Sequence, residues 1–228
     1  MLTAIGTGAC FNYQDGNTAC FYYDNEKKTL LLIDCGETVF HSLLENKLLD
    51  NVEALDVLIT HLHSDHVGSL SSLLHYCQYV LNIKPNVIYP DQAVIPKYLV
   101  LSGNDLTKFN IITPEDYSEY EIKSIKQKHS AFIDAYGYII NINGHRLYYS
   151  GDAATMPEEV IELFNNNEIK EMYVDVTCYN NDAHLHIDDL SKLINQSDRK
   201  RVYVMHFDND KLKDEAKSLG FSIVRGLK

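Results

Sequence analysis

Six consecutive residues, His61-Leu62-His63-Ser64-Asp65-His66, put three imidazoles and a carboxylate into one short stretch. They follow an apolar run over 55–60 that reads as a buried strand, and they precede Val67-Gly68-Ser69-Leu70, which opens a helical pattern. A loop at such a junction turns His61 and His63 to one side and Asp65 and His66 to the other. Imidazole and carboxylate are ligands of Zn2+ and its neighbours, and two such groups suit two ions lying close together. A solvated polar loop has no need of three histidines in six positions.

Other strand ends supply further candidates. His129 follows 122–128, an alternation of apolar and basic residues (Lys123, Lys126, Lys128) that reads as an exposed strand. Asp152 closes Leu147-Tyr148-Tyr149-Ser150-Gly151-Asp152, where Gly151 would let the backbone approach a metal closely. His206 closes Val202-Tyr203-Val204-Met205. Singly, such residues are ordinary core or surface groups. Together they repeat one placement, a polar side chain where an apolar strand stops, so one sheet edge would gather them all.

The elements that must do this positioning alternate along the chain. Periodicity and turn residues predict strands over 1–7, 19–23, 29–34, 55–60, 87–89, 109–112, 119–127, 135–142, 146–150, 172–176, 202–205 and 221–224. Helices are predicted over 36–49, 67–81, 92–102, 157–165, 187–194 and 211–219, with Pro157 in a first-turn position. Two halves, each strands then helices, fit an αββα sandwich of two mixed sheets flanked by helices, in a single domain over 1–228. With 228 residues the chain is long enough for one large core.

Composition narrows the partners. A net charge of −12 repels polyanions, which argues against a long nucleic-acid footprint. The N-terminus lacks the basic and apolar regions of a signal peptide, and no apolar run reaches membrane-spanning length. Five cysteines without paired spacing suit free, buried thiols in a reducing cytoplasm. Sixteen tyrosines with no tryptophan have no single reading; Tyr76–Tyr79, Tyr117–Tyr120 and Tyr179 offer rings for stacking on a base, or for a core or dimer interface.

The ordered set His61-x-His63-x-Asp65-His66, a lone His129, Ser150-Gly151-Asp152 and a late His206 resembles the metallo-β-lactamase superfamily over nearly the whole chain. Asp34, in Leu32-Ile33-Asp34-Cys35-Gly36, matches the aspartate that braces the family's site. The resemblance implies two Zn2+ per chain, with Mn2+ as the alternative. His61, His63 and His129 would hold one ion, Asp65, His66 and His206 the other, and Asp152 would bridge them. True β-lactamases carry Cys at the position of Asp152, which disfavours that branch.

Within the superfamily the chain resembles phosphodiesterases of the ribonuclease Z type. Ile5-Gly6-Thr7-Gly8 with Asn17-Thr18, and His129-Ser130 with Tyr136-Gly137-Tyr138, are similar to their opening and middle segments. Asp175 and His184 fall where those enzymes place an acidic residue and a histidine that act as a catalytic pair. Asp175 replaces a Glu there, and His184-Leu185-His186 replaces His-Ser-Thr, so His184 or His186 could be the working group; spacing to His206 favours His184. His129 and Asp152 lie only 23 positions apart, which leaves no room for the tRNA-binding arm of the bacterial enzymes.

Compact armless relatives include the phage-encoded anti-Pycsar enzymes, which hydrolyse cyclic nucleotide monophosphates. The resemblance therefore implies a small 3′,5′-cyclic nucleotide substrate, no membrane partner, a homodimer and action in the cytoplasm, that of a bacterial host where the gene is a phage's. Asp65 would orient the attacking hydroxide, and His184, braced by Asp175, would protonate the departing oxygen. A tRNA 3′ endonuclease, or a hydrolase of lactones or thioesters, is the alternative that the same ligand set allows.

Overall fold

Apolar and β-branched runs separated by turn residues build two six-stranded sheets in the computed structural model, which describes residues 1–227. The first sheet sets β1 (Thr3–Gly6), β2 (Ala19–Asp24), β3 (Thr29–Ile33), β4 (Ala54–Leu58), β5 (Asn86–Ile88) and β6 (Asn110–Ile112) side by side in that order. The second does the same with β7 (Glu121–Gln127), β8 (Ala135–Ile142), β9 (His145–Tyr149), β10 (Glu171–Asp175), β11 (Val202–Met205) and β12 (Ser222–Ile223). In each sheet the first two pairings are antiparallel and the remaining three parallel. The two halves of the chain thus repeat one topology. Lys228, the last residue of the expected domain, lies outside the described residues.

Parallel neighbours need long crossovers, and these carry the helices. On the first half they are α1 (Val39–Glu45), α2 (Ser64–Val67), α3 (Leu70–Tyr76) and α4 (Ile95–Leu101); on the second, α5 (Glu158–Asn165), α6 (Ile187–Leu193) and α7 (Asp210–Ser218). Every residue of β3 and of β10 is buried, as expected of strands covered on both faces. One apolar cluster joins Leu32, Val57 and Val87 to Val39, Leu73 and Leu99 of the helices outside the first sheet. A second joins Met172, Val174 and Val204 to Phe164, Leu190 and Leu212 outside the other.

Between the sheets, Leu31, Ile33 and Leu58 meet Tyr138, Tyr149 and Tyr173. This layer also takes Tyr117 and Tyr120, which gives the tyrosine-rich composition a structural location. The Tyr138 hydroxyl of β8 donates to the Ile59 carbonyl just past β4 (2.5 Å), which pins one sheet to the other, and that of Tyr117, in the segment between β6 and β7, donates to Asp56 of β4 (2.5 Å).

Differences from the sequence expectations have local causes. The helix expected over 67–81 starts earlier, at Ser64, so Asp65 and His66 already lie in a helical turn. It breaks at Gly68-Ser69 because the Ser69 amide bonds Cys35 and its hydroxyl donates to Gly36 (2.5 Å). It then ends in a π-helical turn, Cys77–Leu81, before Asn82 in the left-handed region (φ 54°). Pro157 is extended (ψ 136°) and caps α5 from outside instead of occupying its first turn. All five cysteines are free, but only Cys20, Cys35 and Cys77 are buried. Lys123 pairs with Glu159 and Lys126 with Asp134 on the exposed face of β7. No helix among the described residues is long and apolar enough to cross a membrane.

Gly36 shows how tightly the two loops above the first sheet are fitted. A Cβ at this position would lie 1.9 Å from the Asp65 carbonyl oxygen, so any side chain must push apart the loops bearing Asp34 and Asp65. Overpacking of this kind costs about 1–3 kcal/mol, or a fall in Tm of roughly 5 °C for a chain of this size. Gly36→Ala is expected to lower Tm in a thermal melt by that amount and to reduce metal retained after dialysis. An unchanged melt with full metal content would show that the loops are not so constrained.

Candidate metal centre

The carboxyl ends of the parallel strands meet at one edge of the sandwich, where open α/β sheets place their ligands. Asp34 follows β3, and Thr60 and His61 follow β4 by two and three residues. His129, Asp152 and His206 follow β7, β9 and β11, and Asp175 is the last residue of β10. Asp34 (φ 66°) and His206 (φ 62°) both adopt left-handed backbone, which turns the chain sharply as it leaves the strand. Gly151 is also left-handed (φ 57°), and a Cβ there would meet the Tyr136 carbonyl at 2.7 Å. Gly151 thus permits a close approach to β8 and to Thr60.

All seven residues expected as ligands converge. The Nε2 atoms of His61 and His129 lie 2.9 and 3.1 Å from Nδ1 of His63, and 3.7 and 3.6 Å from Asp152 Oδ2. On the other side of Asp152, His66 Nε2 is 3.3 Å from both Asp152 Oδ1 and Asp65 Oδ2. His206 Nε2 is 3.5 Å from Asp152 Oδ2 and 3.6 Å from Asp65. His61, His63, His129 and Asp152 thus form one four-ligand group, and Asp65, His66, Asp152 and His206 a second. The Asp152 carboxylate belongs to both.

Hydrogen bonds behind the rings assign which nitrogen faces inward. His66 Nδ1 donates to Asp34 Oδ2 (2.8 Å), His61 Nδ1 donates to Thr60 Oγ1 (3.1 Å), and Thr60 Oγ1 donates to Asp34 Oδ2 (2.8 Å). One buried carboxylate thereby orients a histidine in each group. His129 Nδ1 donates to the Ala183 carbonyl (2.9 Å), and His206 Nδ1 faces Asp175 (3.2 Å). The Nε2 atoms of His66 and His206 are left buried with no hydrogen-bond partner.

Such orphaned acceptors are costly unless something fills the space between them. The imidazole–carboxylate donor set and the inward lone pairs fit divalent cations of the zinc type. Burial and the adjacent His66 ring push His61 well below the usual imidazole range, which keeps its lone pair free. Against burial, the surrounding His206 and His66 rings hold the Asp152 carboxyl well below the usual carboxylate range.

Asp175 and His184 stand beside this cluster. Asp175 Oδ2 accepts from His184 Nδ1 (2.7 Å) and from the Ala153 amide (3.1 Å). The His184 ring stacks on His206 with centroids 4.9 Å apart and packs edge-on against His129 at 5.0 Å. Its side chain keeps 22% of its surface open to a cleft, and Asp175 raises its pKa against the effect of burial. His186 is used elsewhere: its Nε2 donates to the Cys178 carbonyl (3.2 Å) and its Nδ1 caps α6 by accepting from the Asp188 amide (3.2 Å). Between the two histidines left open by the sequence, only His184 reaches the cluster. Thr60 escaped sequence reasoning, because nothing but its place between a buried strand and His61 marks it.

Comparison with known proteins agrees with this geometry. The family described as anti-Pycsar protein Apyc1 matches residues 1–226. Anti-Pycsar protein Apyc1 of Bacillus phage 010DV004 is 24% identical, across 93% of this chain and 90% of that one. The Paenibacillus harenae protein of the same description is 26% identical, across 89% and 88%. Among solved structures, the metallo-β-lactamase fold protein YhfI of Bacillus subtilis superposes with a TM-score of 0.74 at 18% identity, covering 100% of this chain and 95% of YhfI. The short form of human tRNase Z gives 0.70 at 18%, covering 100% and 96%. The fold is that of the metallo-β-lactamases.

Removing the hydroxyl that joins His61 to Asp34, in the near-isosteric Thr60→Val, is expected to weaken metal binding about tenfold. Competition with a chromophoric chelator measures this directly. Affinity equal to that of the parent would show that the Asp34 link does not orient His61.

Proposed function

The chain belongs to the anti-Pycsar protein Apyc1 family, and we propose that it is a two-metal phosphodiesterase that opens 3′,5′-cyclic nucleotide monophosphates. The observation that carries this reading is the juxtaposition of two ligand groups sharing Asp152 with an Asp175–His184 pair that faces a cleft. Two Zn2+ ions, or Mn2+ in their place, would polarise the phosphoryl oxygens and activate water at neutral pH, and their charge would admit an anion to a protein of net charge −12.

The residues of the chain supply the rest. Asp65, which shares the second group with His66 and His206, accepts a hydrogen bond from the attacking water and orients it. Water adds across one P–O bond: its oxygen joins phosphorus, and the ribose oxygen leaves with the bonding electron pair. His184 gives that oxygen its proton, and Asp175 stabilises the imidazolium before transfer, a role worth roughly 10²–10⁴ in rate. Of the two water protons, one restores His184 by way of solvent and the other is released to solvent from the product phosphate.

The alternatives find less support. Between His129 and Asp152 the chain holds only a five-residue loop, β8, a turn and β9, so no arm for tRNA projects from this interval. A lactone or thioester would present a carbonyl to the same ligands. Action in the cytoplasm and pairing into a homodimer accompany the proposal through the family resemblance alone.

The test is turnover of a panel of purine and pyrimidine 3′,5′-cyclic nucleotides, with a lactone and bis-p-nitrophenyl phosphate alongside, by zinc-loaded protein. Cyclic nucleotides are expected to open. His184→Ala is expected to lose roughly 10²–10⁴ in kcat on them while keeping its metal, and to lose far less on the nitrophenyl ester, whose leaving group needs no proton. Turnover of the lactone with cyclic nucleotides left intact would overturn the assignment, and equal losses on both esters would remove His184 as the acid.

A further inference from the structure

Two clefts flank the centre. One, of about 350 Å³, is lined by His184 itself with Tyr179, Asn180, Asp182 and Asp189; the other, of about 360 Å³, is lined by Leu62, Tyr89, Ser130 and Phe132, of which Leu62 and Ser130 adjoin His63 and His129 in the chain. We propose that the nucleoside of the substrate occupies the first of these, with the Tyr179 ring as the platform on which its base stacks. The proposal rests on the phosphodiesterase reading and deepens it.

Chemistry chooses the side. A proton donor must lie within hydrogen-bond reach of the oxygen it protonates. In a 3′,5′-cyclic ester both ester oxygens belong to one ribose, so the ribose lies towards His184 whichever P–O bond breaks. The base attached to that ribose then extends into the cleft that His184 itself lines.

Tyr179 is built to meet it. Its side chain is 58% exposed, yet it is held at several points. Its hydroxyl accepts from Asn209 Nδ2 (3.3 Å), and its amide donates to Thr177 Oγ1 (3.1 Å), which in turn donates to Asp208 (2.7 Å). Its carbonyl accepts from Asn181 Nδ2 (3.2 Å), while Asn181 Oδ1 takes the amides of Ala183 and His184 (both 2.8 Å). One set of side-chain bonds therefore fixes the position of Tyr179 relative to His184. An aromatic face presented without further ordering is a pre-organised stacking surface, tolerant of base identity. Phe132, in the opposite cleft, is 95% exposed and has no polar group to tether its ring.

Calorimetric titration of adenosine 5′-monophosphate and of base-free ribose 5-phosphate into zinc-loaded protein tests the proposal without relying on turnover. The parent is expected to prefer the nucleotide. Tyr179→Ala should weaken the nucleotide about tenfold and leave ribose 5-phosphate unchanged, Tyr179→Phe, which keeps the ring but loses the Asn209 tether, should lose less than Tyr179→Ala, and Phe132→Ala should change neither. The proposal is overturned if the parent shows no preference, if Phe132→Ala takes the loss, if Tyr179→Phe loses as much as Tyr179→Ala, or if Tyr179→Ala weakens both ligands equally. The expected pattern in a protein that opens no cyclic nucleotide would support the cleft while removing the phosphodiesterase reading.

Discussion

The Asp34 carboxylate is the constraint on which the rest of the centre depends. It is fully buried at the end of an entirely buried strand, and burial alone would drive it towards the neutral acid. Three donors oppose that cost: the Thr60 amide, the Thr60 hydroxyl and His66 Nδ1, each at 2.8 Å. The same bonds that satisfy the carboxylate dictate the tautomers of His61 and His66, one in each ligand group. Orientation of both halves of the centre is thus a by-product of solving a burial problem in the first sheet.

The second sheet solves the matching problem with Asp175. Also fully buried, it accepts from His184 and the Ala153 amide and faces His206. Asp34 and Asp175 end strands that both run parallel to a neighbour inside their sheets, in halves that share one topology. Each half contributes a buried aspartate at a strand end that aims imidazoles into the seam. Polar bonds between the sheets, such as Tyr138 to Ile59 and the Tyr136 amide to Thr60, fix the distance across which Asp152 reaches both groups.

Much of this was legible in the chain. Strands read as short apolar runs and helices as 3.6-residue periodicity, and β8 and β11 were bounded to the residue. The candidate ligands were legible because they gather where four strands stop, after β4, β7, β9 and β11, a placement that ordinary polar residues do not repeat. What the sequence hid depends on contacts between distant segments. The break after Val67 is caused by Ser69 bonding Cys35 and Gly36, and Pro157 is displaced by a single residue of capping geometry. Thr60 gains its role only once Asp34 lies beside it. The choice between His184 and His186 turned on which ring the α6 cap consumes, a fact of backbone direction that spacing does not carry. The tyrosine count acquired meaning in the same way: of the rings offered for stacking, Tyr117 and Tyr120 are core, Tyr76 is partly buried, Tyr79 is exposed, and Tyr179 is exposed in the cleft that His184 lines.

Elemental analysis of the purified chain after exhaustive dialysis against metal-free buffer, by plasma mass spectrometry with protein mass in the same sample, tests the central claim most directly. Two ligand groups sharing Asp152 predict two divalent cations per chain. A content at or near zero, from protein with a native melt, would contradict a dinuclear centre, and a content of one would contradict the shared role of Asp152.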